Sequence, residues 1–182
     1  MIKLEELTNN DQWYIEPSEA QELIESGDLL NYKFCKIELG KIKRWESKEK
    51  RVLKLKETVN YRFLSNLNSK QALNEYTGYC KDPKNLADNP NRSPEIFMNL
   101  YNKILKEGYD IKKGIIAVDQ NNTICIGLHR ACIMLFIHGE NFEIPVLKLN
   151  LKSSILHKYP FLIPIYKFFN YIRKKLKIKT NE

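Results

Sequence analysis

Several things are missing from this chain, and each absence narrows what it can be. No window approaches the ~18 uninterrupted apolar residues of a membrane span. The opening Met1-Ile2-Lys3-Leu4-Glu5-Glu6 is acidic and has no apolar run, so no secretory signal is expected. The four cysteines (Cys35, Cys80, Cys125, Cys132) form no Cys-x-x-Cys pair. They read as reduced thiols of a cytoplasmic chain, neither a disulfide frame nor a zinc site. Cys125 and Cys132 lie in apolar segments and read as small buried hydrophobes. Excess charge is also missing from most of the chain. Residues 1–150 hold 22 basic and 21 acidic groups, net +1, whereas residues 151–182 hold eight Lys or Arg and one Glu, net +7. A body so nearly neutral makes a nucleic-acid backbone an unlikely partner.

What is present suits one domain with a true core plus appendages: 182 residues, 43% hydrophobic and 29% charged. The expected organisation is an N-terminal helical extension over 1–31, a domain over 32–150 and a tail over 151–182. A polar cap at Ser18, an acidic first turn and Gly27 predict a short helix. Tyr32 to Leu39 alternates as a strand does, and Val52 to Leu55 reads as another. Between them, Trp45 and its charged neighbours form either a ligand rim or simply a solvated face. A helix is predicted over Lys70 to Tyr79, stopping near Gly78, with its aromatics in the core. Residues 81–92, rich in Pro, Asn and Asp, read as a loop.

Ser93, Pro94 and Glu95 then begin a helix that Gly108 ends. Gly114 to Asp119 and Thr123 to Ile126 make a hairpin-like pair of strands. A helix closed by His138-Gly139 follows, and Ile144 to Leu149 is a last strand. This sequence of elements predicts an α+β fold.

The densest chemistry lies at Ile126-Gly127-Leu128-His129-Arg130, where a strand gives way to a helix. A glycine there permits close backbone approach, and a helix start offers unpaired N–H groups and a positive dipole end. His129 and Arg130 add donors, which together describe a phosphate seat. The bland alternative is a helix start that these residues merely cap. The dipole contributes only roughly 0.3–1 kcal/mol, so the helix has no need of them. His138, in the last turn, reads as a cap, and His157 has no assigned role.

Taken with Asn89-Pro90-x-Arg92, Ile115-Ile116-x-Val118, Gly139 and Ile144-Pro145-Val146, this string resembles the ParB/sulfiredoxin-like domain over roughly residues 85–150. Upstream, Leu55-Lys56-Glu57-Thr58, Tyr61-x-Phe63-Leu64 and Tyr76 are similar to small ParB-like proteins found near cell-surface polysaccharide genes. The resemblance implies a small mixed sheet with flanking helices and a bound nucleotide (ATP, ADP or CTP), with magnesium as the expected companion. It implies Arg92, Gly127, Leu128, His129 and Arg130 as the phosphate-binding residues; Arg92 would otherwise be an ordinary salt-bridge partner.

Three departures qualify what is carried over. Sulfiredoxins have their reactive cysteine immediately before His-Arg, where Leu128 stands, so sulfinic-acid repair is not expected. Kinase-like members usually have Asp before the glycine, where this chain has Ile126. Only roughly thirty residues follow Leu149, too few for the helix-turn-helix domain of partition proteins.

The leading expectation is a nucleotide-dependent phosphotransferase or hydrolase. Its acceptor would be a small molecule or a glycan precursor of envelope polysaccharide synthesis. The alternative is a non-catalytic nucleotide-binding module that regulates a partner at a membrane or, last in rank, on DNA. Phosphoryl transfer needs a carboxylate near the acceptor hydroxyl. The candidates are Glu57, Glu38 and Asp119, with Glu46 beside them; Asp119 also suits the start of a turn.

The tail predicts a basic amphipathic helix. Phe161, Ile165, Phe168, Phe169 and Ile172 recur at helical spacing, and Arg173, Lys174 and Lys175 follow. Such a face suits an anionic membrane surface at the inner face of the cell, or it folds back on the domain.

Overall fold

A computed structural model describes residues 4–8, 11–25, 29–46, 49–82 and 92–152. The expected membrane-facing residues Phe161, Ile165, Phe168, Phe169, Ile172, Arg173, Lys174 and Lys175 lie outside the described residues, as do Asn89 and Pro90. None of the described helices is long and apolar enough to cross a membrane.

Strands carry the frame. β1 (Leu29–Glu38), β6 (Glu143–Leu151), β4 (Ile116–Val118) and β5 (Ile124–Ile126) form one sheet in the order β1-β6-β4-β5. β1 and β6 are antiparallel in a register that sets Phe34 opposite Leu147 and Ile37 opposite Ile144. β4 runs parallel to β6 and antiparallel to β5, so the sheet is mixed. A separate hairpin pairs β2 (Lys43–Glu46) with β3 (Arg51–Lys54). It is tied to the main sheet by an isolated bridge between Lys43 and Thr123.

Because side chains alternate across a strand, the sheet buries both faces against different partners. Ile116, Val118, Ile144 and Val146 join one core with α3 (Val59–Ser65), α4 (Lys70–Lys81), α5 (Pro94–Glu107) and α6 (Leu128–His138). Ile115, Ala117, Leu147 and Leu149 join a second core with Leu7 of α1 (Leu4–Thr8), Trp13, Ile15 and Ala20 of α2 (Pro17–Glu25). Leu7, Trp13, Ile15 and Ala20 thus supply cover for the sheet's second face. Trp13 stacks on Phe34 at 5.8 Å and meets Tyr32 edge-on at 6.0 Å.

α6 is the innermost helix, with Ala131 to Leu135 all buried in sequence. A helix apolar all round belongs inside, which is where it lies. α5 starts as its sequence predicts: Ser93 Oγ accepts from the Ile96 amide at 3.2 Å, and Pro94 holds the first helical position.

Some elements differ from expectation. β1 begins at Leu29 rather than Tyr32. α4 runs through Gly78 to Lys81, since a mid-helix glycine costs only about 1 kcal/mol. α3, seven residues capped by Thr58, was hidden in an aromatic run read as core. β2 was hidden in a charge-dense string whose Trp45 and Glu46 are half-buried.

Because Trp13 is 6% exposed and anchors the second core, its replacement by alanine is expected to cost about 3–5 kcal/mol. Urea unfolding followed by circular dichroism should show one transition at a lower midpoint. A loss confined to the first thirty residues would separate them from the domain.

Candidate functional site

The site forms where β5 hands over to α6. Gly127 is the N-cap of α6 and takes φ 84°, ψ 28°, the left-handed region that glycine enters without strain. A Cβ there would stand 3.2 Å from the Ile115 carbonyl oxygen and 3.2 Å from Ile116 Cα. The close approach expected of this glycine is thus made, in the described structure, to the chain's own strand β4. It seats the first turn of α6 on the sheet, and no side chain caps that turn. The leading amides of α6 therefore lack intrahelical partners, at the positive end of the dipole.

His129 turns inward from this turn. Its Nε2 is 3.0 Å from the Tyr76 hydroxyl, and its ring lies 4.6 Å from Phe97. Burial, then the charges of Arg92, Arg130 and Arg44, push its pKa down to about 4. The ring is therefore neutral at pH 7. His129 is expected to meet phosphate directly; here Nε2 is taken by Tyr76, and Nδ1 has no hydrogen-bond partner among the described residues.

Three arginines lie within electrostatic reach of His129. Arg130 Nη2 donates to the Lys113 carbonyl at 3.1 Å. Its guanidinium crosses Gly114, where any Cβ would overlap it. Arg92 approaches the Tyr79 ring, with Cζ 6.0 Å from the centroid. Its Nε and Nη1 are buried and have no hydrogen-bond partner among the described residues. Arg44 reaches in from β2, and its charge acts on His129, Tyr79, Cys125 and Cys132 together. Among the described residues none of the three arginines has a carboxylate within ion-pair distance.

Tyrosines line the rest. Burial pushes the Tyr76 phenol well above its usual range and that of Tyr79 upward, Arg44 and Arg92 opposing at Tyr79. Burial likewise pushes Tyr109 up to about 12, although its oxygen accepts from the Ile116 amide at 2.9 Å and Arg130 opposes the shift.

The expected catalytic carboxylates are engaged elsewhere. Glu57 Oε2 accepts from the Lys54 amide at 2.7 Å, closing the short turn Leu55–Glu57. Glu38 pairs with Lys41 at 2.6 Å and lines a shallow cavity of about 280 Å³ with Lys33, Cys35, Asn122, Glu143 and Lys148, none of them a residue of the arginine site. Asp119 is buried, and its Oδ1 accepts from the amides of Asn121 and Thr123 at 2.8 and 2.7 Å. That is the turn role the sequence also allowed. The charge of Glu46 reaches the site through Tyr79, as those of Asp119 and Glu95 reach Cys125 and Cys80. Among the described residues no group of three His, Cys, Asp or Glu side chains is placed to hold a metal ion.

The structure thus joins Arg92, Gly127, Leu128, His129 and Arg130 around one turn and adds Arg44, Tyr76 and Tyr79. Tyr79 reads from the sequence as a core aromatic, and Tyr76 as a core aromatic that also belongs to the upstream resemblance. Arg44 had a faint signal in its place beside Trp45, in a charged run that reads as a solvated face or a ligand rim. In class the protein is an α+β fold with a mixed four-stranded sheet and an added hairpin. Comparison with protein-family models, with curated proteins and with solved structures found no match.

Because His129 binds a proton less readily folded than unfolded (about 4 against an ordinary 6.5), the unfolded chain takes up more protons between those values. Its contribution to stability is complete above pH 6.5 and is lost as pH falls toward 4, about 3 kcal/mol over the window. Urea unfolding at pH 7 and pH 4.5 should show a smaller pH-dependent loss in His129→Gln than in the parent chain.

Proposed function

We propose that the turn entering α6 holds the phosphate groups of a nucleotide, ATP, ADP or CTP. The observation that carries this reading is the Arg92 guanidinium, whose buried Nε and Nη1 have no hydrogen-bond partner among the described residues. A buried N–H left without an acceptor costs about 1–3 kcal/mol, and natural structures rarely keep one without use. Phosphate oxygens match a guanidinium fork in charge and geometry. Arg44, Arg130 and the α6 amides surround the same turn, so an anion there would meet donors from three parts of the chain. The antiparallel β4–β5 pair, the glycine turn, α6 and a final strand parallel to β4 also follow the order that the ParB/sulfiredoxin-like resemblance implies. Magnesium would arrive on the nucleotide's own phosphates, as it does where a protein lacks a dedicated carboxylate cage.

The geometry favours binding over phosphoryl transfer, because Glu57, Glu38 and Asp119 are all held by other partners. In this reading the protein is a nucleotide-responsive module that regulates a partner, with the basic tail as a means of reaching an anionic membrane. A second reading, phosphotransfer to a small-molecule or glycan-precursor acceptor in envelope polysaccharide synthesis, is favoured by Glu46, whose carboxylate lies within electrostatic reach of Tyr79. Nucleic acid ranks last, since residues 1–150 carry a net charge of only +1.

Calorimetric titration with Mg-ATP, Mg-ADP and Mg-CTP tests the proposal, with ³¹P NMR reporting turnover. At least one nucleotide should bind. Arg92→Ala should weaken it by about tenfold to a hundredfold, the worth of a charged hydrogen bond, without lowering the melting temperature. Absence of binding by all three nucleotides would remove the reading; binding without turnover separates the module from the transferase.

A further inference from the structure

The contact between Tyr76 and His129 has a chemical consequence. Tyr76 is fully buried on α4, its ring stacked on Phe63 at 4.7 Å and tilted against Phe97 at 5.2 Å. His129 packs on the same Phe97 ring. Both side chains are therefore held by one aromatic wall, and the 3.0 Å contact between hydroxyl and Nε2 is the polar link across it.

We propose that Tyr76 is a positioning residue: its hydroxyl donates to Nε2 and so fixes His129 as the Nδ1–H tautomer, which offers one N–H to an anion among Arg44, Arg92 and Arg130. A neutral imidazole has one donor and one acceptor nitrogen, so the partner of one decides the role of the other. Phenol is a good donor to the imidazole lone pair. The competing acceptor for its proton, the Cys80 thiol, is a weak one. In the reverse arrangement the Nδ1 lone pair would face the bound anion and repel it. The ring is neutral for a separate reason, burial beside three guanidinium groups. A fourth positive charge there would add repulsion; a neutral N–H adds a directed donor. The anion half of this assignment rests on the phosphate-seat reading; the tautomer half does not.

The test uses the full ¹⁵N-labelled chain at pH 7. Long-range ¹H–¹⁵N spectra of the free protein should show His129 with Nδ1 protonated and Nε2 bare. Tyr76→Phe keeps the aromatic stack and removes only the hydroxyl, so it should move the ring toward the Nε2–H form. It should also weaken ATP binding roughly fivefold to tenfold, the worth of one hydrogen bond. A protonated Nε2 in the parent protein, or an unchanged tautomer in Tyr76→Phe, overturns the role of Tyr76. An ATP affinity unchanged by Tyr76→Phe overturns the link to the anion. Failure of the parent protein to bind ATP, ADP or CTP removes the anion half together with the nucleotide reading, while the spectra of the free protein still decide the tautomer.

Discussion

Everything at the site depends on one steric constraint: β5 must turn into α6 while lying in van der Waals contact with β4. The turn has no room for a Cβ and requires a left-handed backbone, and Gly127 meets both demands. Once the chain passes there, the direction of α6 is set. Ala131 to Leu135 fall into the core, His129 swings toward α4 and α5, and Arg130 extends over Gly114. Gly114 matters for the same reason, since the missing side chain is the space that the guanidinium occupies. The two glycines thus do for the arginine site what a packed side chain does for a core. They fix positions by exclusion.

Charge placement around this turn is unlike charge placement elsewhere on the protein. Lys41 with Glu38, Lys56 with Glu140, Lys113 with Glu107 and Arg62 with Glu75 are exposed pairs, each worth little to stability. Arg44, Arg92 and Arg130 instead depress one shared histidine and have no acidic partner among the described residues. Stability alone does not explain such a cluster, because three like charges repel and buried N–H groups of Arg92 go unbonded. The cost makes sense when a mobile anion completes the arrangement, and the neutral state of His129 keeps the positive charge on the guanidinium groups.

The sequence makes local features legible and leaves long-range ones dark. The Ser93-Pro94 start of α5 and the Gly127 and Gly139 limits of α6 follow from capping rules that act over three or four residues. The β4–β5 pair, joined by a short turn, was legible for the same reason. Tyr76 and His129 are 53 positions apart, and nothing local marks one as the other's partner. Arg44 lies on a hairpin whose strand character was masked by its charges, because on a small two-stranded sheet side-chain packing outweighs intrinsic preference. Among the carboxylates the turn role of Asp119 was legible, whereas Glu57 looked available as a letter, yet it satisfies the nearby Lys54 amide. Local hydrogen bonding claims such groups before chemistry can.

The three arginines are not equivalent, and the difference separates holding the fold from holding a ligand. Arg130 already donates to the Lys113 carbonyl and fills the space over Gly114, so part of its worth is structural. Arg44 sits on the hairpin, which meets the main sheet through the Lys43–Thr123 bridge and the Lys43 amide bonded to Asn122 at 2.9 Å. Among the described residues, the contact found for Arg92 is the face of Tyr79. A cation over an aromatic ring gains about 0.5–2 kcal/mol, less than a buried guanidinium loses by leaving its N–H groups unmade. Among the described residues Arg92 is therefore the member of the trio with the least structural reason for its position. An anion at the head of α6 would supply that reason.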